Sequence, residues 1–97
     1  MHLQSACDAI DRGCRLEIYY DDHSLVVEPH AVGFDRRGRT MLLAWECSDS
    51  ADGHSGEWLF LTLDEAREVD VSGYLAQSPR MGFVRDDPRF ARIVRQV

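Results

Sequence analysis

Eleven arginines and no lysine supply all the fixed side-chain positive charge of this chain. Arg36, Arg37 and Arg39 crowd one turn, where planar guanidiniums suit phosphate. Asp35 offsets one of them, and a solvated turn is the commoner meaning of such a run. Arg80 and Arg85 flank Phe83, with Phe90 further on. That mixture could stack on a nucleotide and neutralise it. The opposing reading is that Phe83 and Phe90 pin the tail to the body while Arg80 and Arg85 pair with its acids. Tyr19, Tyr20, Trp45 and Trp58 are the large strand aromatics, a class more often core than platform. Tyr19 and Trp58 fall on the faces expected to be more exposed.

Constellations for catalysis are thin. Cys47 and His30 could form a nucleophile–base pair only if neighbouring strands bring them together, and a buried structural thiol is commoner. His23 beside Asp21 and Asp22 carries metal-ligand types, but three polar residues at a hairpin tip usually make a turn. There is no GxSxG or HExxH motif, and the Arg36–Arg39 turn is too short for a phosphate loop. Cys7, Cys14 and Cys47 are odd in number and lack CxxC spacing, against a disulfide framework or a zinc site. No catalytic residue, metal or cofactor is expected.

Seventeen acids face eleven bases, a net charge of −6. Residues 1–75 hold six Arg against fifteen acids, whereas residues 76–97 hold five Arg (Arg80, Arg85, Arg89, Arg92, Arg95) against Asp86 and Asp87. A body this acidic repels phosphate backbones at long range, so only a local basic patch could hold nucleic acid. No run of ~18 apolar residues marks a membrane span, and residues 1–5 carry no secretory pattern. A cytoplasmic protein of one domain over its 97 residues is expected.

The elements that would position these groups are short. Residues 4–12 have helical spacing (Ala6, Ala9, Ile10), with Ser5 a candidate N-cap and Gly13 a natural stop. Residues 14–20 alternate, placing Leu16, Ile18 and Tyr20 on one side. A polar turn, Asp21–Ser24, leads into a second arm in which Pro29 should mark an edge, bulge or break. Beyond it, His30, Val32 and Phe34 should share a face. Residues 35–39 read as a turn with Gly38 at positive φ, and 40–47 as a central strand apolar on both sides. Residues 48–56 read as a polar loop, and 57–63 and 68–72 as further strands. Residues 88–97 fit a helix by Phe90, Ile93, Val94 and Val97, and a strand by Ile93, Arg95 and Val97; the strand is preferred. One helix (4–12), strands across 14–72 and a C-terminal extension (73–97) make a mainly β, α+β fold. About five short antiparallel strands point to a small closed or nearly closed barrel, which hides strand edges.

The order Ile18-Tyr19-Tyr20, Val27-Glu28-Pro29-His30, a Gly turn, the apolar strand 41–45 and Phe60-Leu61-Thr62-Leu63-Asp64 resembles a WYL domain across roughly residues 9–72. Residues 78–97 look similar to the tail of small stand-alone WYL-like bacterial proteins. The resemblance implies a five-stranded Sm-like barrel after a helix, and a nucleotide or nucleic-acid ligand held by a basic, aromatic-lined patch. Tyr20, Glu28, Pro29 and His30 match positions the family fills with similar residues. The name-giving positions read Met41-Leu42-Leu43, and no Arg lies in 58–62, where the family carries one.

The expected function is therefore a non-enzymatic ligand-sensing or regulatory module for a nucleotide or single-stranded nucleic acid. Tyr20, His30, Arg80, Arg85, Trp58 and Arg37 are its candidate ligand contacts. The alternative is a protein-interaction or assembly domain, with a protein partner or a second copy, because an acidic chain suits a basic protein better than phosphate.

Overall fold

A computed structural model describes residues 2–47 and 56–97. Its elements are α1 (His2–Arg12), β1 (Cys14–Tyr20), β2 (His23–Phe34), β3 (Thr40–Cys47), β4 (Gly56–Thr62), a 3-10 turn (Leu63–Glu65), β5 (Glu68–Leu75) and β6 (Arg92–Gln96). Of the polar loop expected over residues 48–56, residues 48–55 lie outside the described residues, and Gly56 begins β4. Among the described residues no helix is long and apolar enough to cross a membrane.

The helix forms where the spacing placed it. Ala6, Cys7, Ala9 and Ile10 make its buried stripe. Gly13 ends it in the left-handed region (φ 67°), with its N–H donating to the Ile10 carbonyl. The helix already includes His2, so Ser5 lies inside it rather than capping it. His2 Nε2 sits 2.9 Å from the Ala66 carbonyl, tying the helix start to the segment before β5.

All strand pairs are antiparallel, in the order β4-β3-β2-β1-β5, with β6 beside β2. β4 and β5 are not paired with each other, so the sheet is not closed. The tail returns as the strand preferred for residues 88–97, which makes the sheet six-stranded in place of the five strands expected. β1 and β2 meet through Asp21 and Asp22, both at positive φ, as the two-residue turn between twisted strands requires. His23 and Ser24 therefore belong to β2.

β2 is long and changes partner midway. β1 accompanies it as far as Val27, and β6 from Ala31. Pro29, which has no N–H to offer a ladder, stands at the changeover. Next to it the β2–β3 register slips: Pro29 pairs with Ala44 and Ala31 with Leu43, leaving His30 as an extra residue. The slip reverses which residues face which side. Val27 and Val32, five apart, both reach the core under α1, with Leu16, Ile18, Leu42, Ala44 and Leu63. His30 is thereby turned to the opposite face, so the expectation that it shares a face with Val32 fails.

That opposite face carries a second, smaller core. Ala31, Met41, Leu43 and Phe90 are buried there, flanked by Trp58, Phe60, Phe83 and Ile93. β3 is apolar on both sides because it feeds both cores, as its sequence implied. β6 can lie against β2 because Gly33 has no side chain; a Cβ there would lie 2.1 Å from the Arg92 carbonyl oxygen and 2.8 Å from the Ile93 Cα. Gly33→Val should therefore detach β6 and cost about 3 kcal/mol. Urea unfolding would read that cost, and amide exchange should show protection lost at residues 92–96 before the β3 amides.

Candidate buried acid and aromatic face

Glu28 lies on the second face and is fully buried, 0% exposed. A carboxylate without water needs cations and N–H donors around it. Arg80 supplies Nε at 2.5 Å from Oε1 and Nη2 at 3.2 Å from Oε2, a fork-on-fork pair. Arg15, from β1, places Nε 3.4 Å from Oε2, and the Gln77 N–H donates to the same oxygen at 2.9 Å. Burial pushes the carboxyl up. The bonds from Arg80 and Gln77 and the charges of Arg80 and Arg15 together outweigh it, holding Glu28 below its ordinary 4.5.

His30, also 0% exposed, completes the arrangement. Its Nδ1 lies 2.8 Å from the Glu28 carbonyl, which can only accept, so Nδ1 carries the hydrogen. Its Nε2 then accepts the Arg80 backbone N–H at 2.9 Å. Burial lowers the pKa of the ring below the ordinary 6.5, with the Arg80 charge adding to it against the pull of Glu28. The imidazole packs edge-on to Trp58 (4.7 Å between centroids) and against Phe83 (5.2 Å). Trp45 meets Trp58 edge-on at 5.4 Å, and the Arg80 guanidinium sits 5.8 Å from the Trp45 ring. Residues 77–83 thus cross the second face as a strap. Arg80 and Phe83 are its two anchors.

Three of the six expected ligand contacts bear on this segment and serve the fold from within. His30 and Arg80 hold the strap, and Trp58 is half-buried beneath it. Arg85 donates to the Val97 carbonyl. Tyr20 is elsewhere, donating to Glu65 at 3.0 Å. Burial and Glu65 raise the pKa of its phenol. Arg37 is exposed on the β2–β3 turn, whose geometry is set by Asp35 accepting the Arg37 and Arg39 N–H groups. The six do not converge on one open site. Of the two readings of the tail, the pinning one describes Arg80, Phe83 and Phe90. Arg85 pairs with a carbonyl instead of an acid.

The Cys47–His30 pair is not assembled, since both ring nitrogens are engaged elsewhere. Burial, followed by the charge of Glu28, raises the Cys47 pKa. Among the described residues no three His, Cys, Asp or Glu side chains gather in a way that could hold a metal. Tyr19 lines a groove of about 310 Å³ with Glu17, Ser24, Val26, Glu68 and Asp70. Glu17 stands directly opposite Asp70 in the β1–β5 ladder, a pairing that repels. This groove disfavours phosphate.

Sequence reasoning gave Arg15 and Gln77 no role, and it named Glu28 and Trp45 without placing either in the site. The signal for Glu28 was present: an acid inside Val26-Val27-Glu28-Pro29, in a strand apolar on both sides of it, can be buried only beside a cation.

Removing the main counter-charge while keeping the stem should expose this dependence. Arg80→Met is expected to destabilise the fold by about 3 kcal/mol at neutral pH. Because Glu28 is depressed in the native chain, its contribution is complete above 4.5 and is lost as pH falls through its native value. Without Arg80, burial raises Glu28 above its unfolded value, so protonation favours the folded variant and its deficit should shrink, not grow, as pH falls. Urea midpoints between pH 3 and pH 8 would measure both effects. Comparison of the chain with family models, curated proteins and solved structures finds no match.

Proposed function

We propose that this chain is a non-enzymatic protein-interaction and assembly module, built as a WYL-like small barrel, that docks through the strap and the end of β5. One observation carries the reading. Five large apolar side chains are exposed among the described residues, and four fall between residues 74 and 84: Tyr74 and Leu75 (73% each), Met81 (96%) and Val84 (59%). Exposed apolar groups are ordinary when scattered. Four within eleven consecutive residues are the feature from which we infer a contact surface. The acidic groove and the internal use of Arg80 point the same way, towards protein over phosphate.

The WYL-like reading draws support from the element order, a helix followed by consecutive antiparallel strands, and from Val27-Glu28-Pro29-His30 at the point where β2 changes partner. A nucleotide or single-stranded nucleic acid is the second reading. It now rests on a different corner, where β6 places Arg92 opposite Phe34, the last residue of β2 before the turn that carries the exposed Arg36 and Arg37.

Light scattering across a concentration series tests the first reading, with a second copy as the first partner examined. Mass should rise with concentration in the unaltered chain, and Leu75→Ser with Met81→Ser should abolish the rise while leaving Tm within a few degrees. A strict monomer that binds single-stranded DNA saturably and salt-sensitively, and loses that binding on Arg37→Ala, would establish the second reading instead.

A further inference from the structure

His30 is the extra residue of the β2 bulge and is held from both sides in one protonation state. The Glu28 carbonyl fixes the hydrogen on Nδ1, and the Arg80 N–H occupies Nε2. A second proton, on Nε2, would set one N–H against another at 2.9 Å. One of the two must then leave. β2 cannot easily yield, because it is laddered to β3 and to β6, and the His30 carbonyl accepts the Val97 N–H. The strap is the weaker partner. It runs between β5 and β6 without strand pairing, and it is held by Gln77, Arg80 and Phe83.

We propose that residues 77–83 form a strap that is released when His30 takes up a proton, so that mild acid uncovers a cleft made by Glu28, Trp45 and Trp58. The charged and titratable groups around the ring decide the direction. Glu28, on the same strand, favours the imidazolium, but Arg80 from the strap and Arg15 from β1 already balance its charge. Arg80 itself opposes a second positive charge. Cys47, on β3, feels Glu28 more than it affects the ring. The helix lies against the other face of the sheet, and Trp58 and Phe83 bring no charge. With the strap away, the ring regains water and its ordinary proton affinity.

The sign follows from linkage. A ring kept neutral in the closed state binds fewer protons than in the open one. Closure is therefore complete above 6.5 and weakens as pH falls from there towards the depressed native value, by about tenfold per pH unit. Glu28 is held below its ordinary 4.5, so opening above that pH is not caused by its protonation. The inference supplies regulation for the interaction surface proposed above, because Met81 lies on the strap and Val84 just beyond it. Opening is measured without a partner, so it can fail while that reading stands, and the reverse.

The test uses the unaltered chain. NMR of the His30 ring gives its protonation, and hydrogen exchange of the Arg80 amide, corrected for intrinsic rate, gives strap closure. Arg80 protection should fall about tenfold per pH unit as pH drops from 6.5 towards the value at which the ring protonates in the closed chain, while the Leu42 and Leu43 amides of β3 stay protected. In His30→Gln the side-chain carbonyl can accept the Arg80 N–H but cannot take a proton, so protection should persist until Glu28 titrates. The proposal is overturned by His30 protonating with Arg80 protection unchanged, by β3 losing protection in step with Arg80, or by the Gln variant opening at the same pH as the unaltered chain. If that variant does not fold, the comparison within the unaltered chain decides.

Discussion

A carboxylate with no access to water governs the second face of this fold. Burying Glu28 costs several kcal/mol unless cations and N–H donors replace its hydration. The replacements come from two parts of the chain: Arg15 on β1, and Gln77 and Arg80 from beyond β5. The acid thus dictates that residues 77–80 return across the sheet. That return carries Phe83 onto His30 and Trp58. The chain then leads to Phe90, edge-on to Phe60 at 5.2 Å, and into β6. An apolar residue at position 28 could pack against the sheet without demanding any particular segment over it. An acid specifies which one.

The bulge makes this possible. In an unbroken strand, residues 28, 30 and 32 would all project to one side, and Val32 would be lost from the core under α1. The extra residue at His30 lets Val27 and Val32 both reach that core while Glu28 and His30 face the strap. Pro29 fits the same place for its own reason, because β2 has no ladder neighbour on one side while it passes from β1 to β6. A register slip, a missing donor and a change of partner coincide within Glu28-Pro29-His30.

Much of the fold was legible. The alternation in β1 and β3, the helix before Gly13 and the turn at Gly38 are local properties written in spacing and in glycine position. The preference for a strand at the C-terminus was also sound, since Ile93 and Val94 are half-buried on a strand. The face of His30 was not legible, because parity counting assumes an unbroken strand and nothing local announces an inserted residue. The site was legible in its members more than in its arrangement. His30, Arg80 and Trp58 do meet, but around a buried acid of the chain itself. What assembles them is the pairing of Glu28 with Arg80, 52 residues apart, which spacing alone does not reveal.

The positive charge of the tail follows the same logic. Read from composition, five arginines against two acids look like a reserve for phosphate. In the structure Arg80 is taken by Glu28, and Arg89 by Asp87 and the Phe60 ring. Arg95 lies near Asp11, and Arg85 by the Val97 carbonyl. Among the described residues Arg92 alone of the five makes no such contact. The exposed pair with Asp11 is worth little to stability, yet it still removes charge from any field the tail could project. A guanidinium that closes the fold cannot also attract a ligand, so the surplus is spent internally. What faces solvent is a body in which Glu17 and Asp70 oppose each other across β1 and β5, and apolar side chains at the end of β5 (Tyr74, Leu75), on the strap (Met81) and just beyond it (Val84). The first repels phosphate, and the second is stabilised only by contact with another apolar surface.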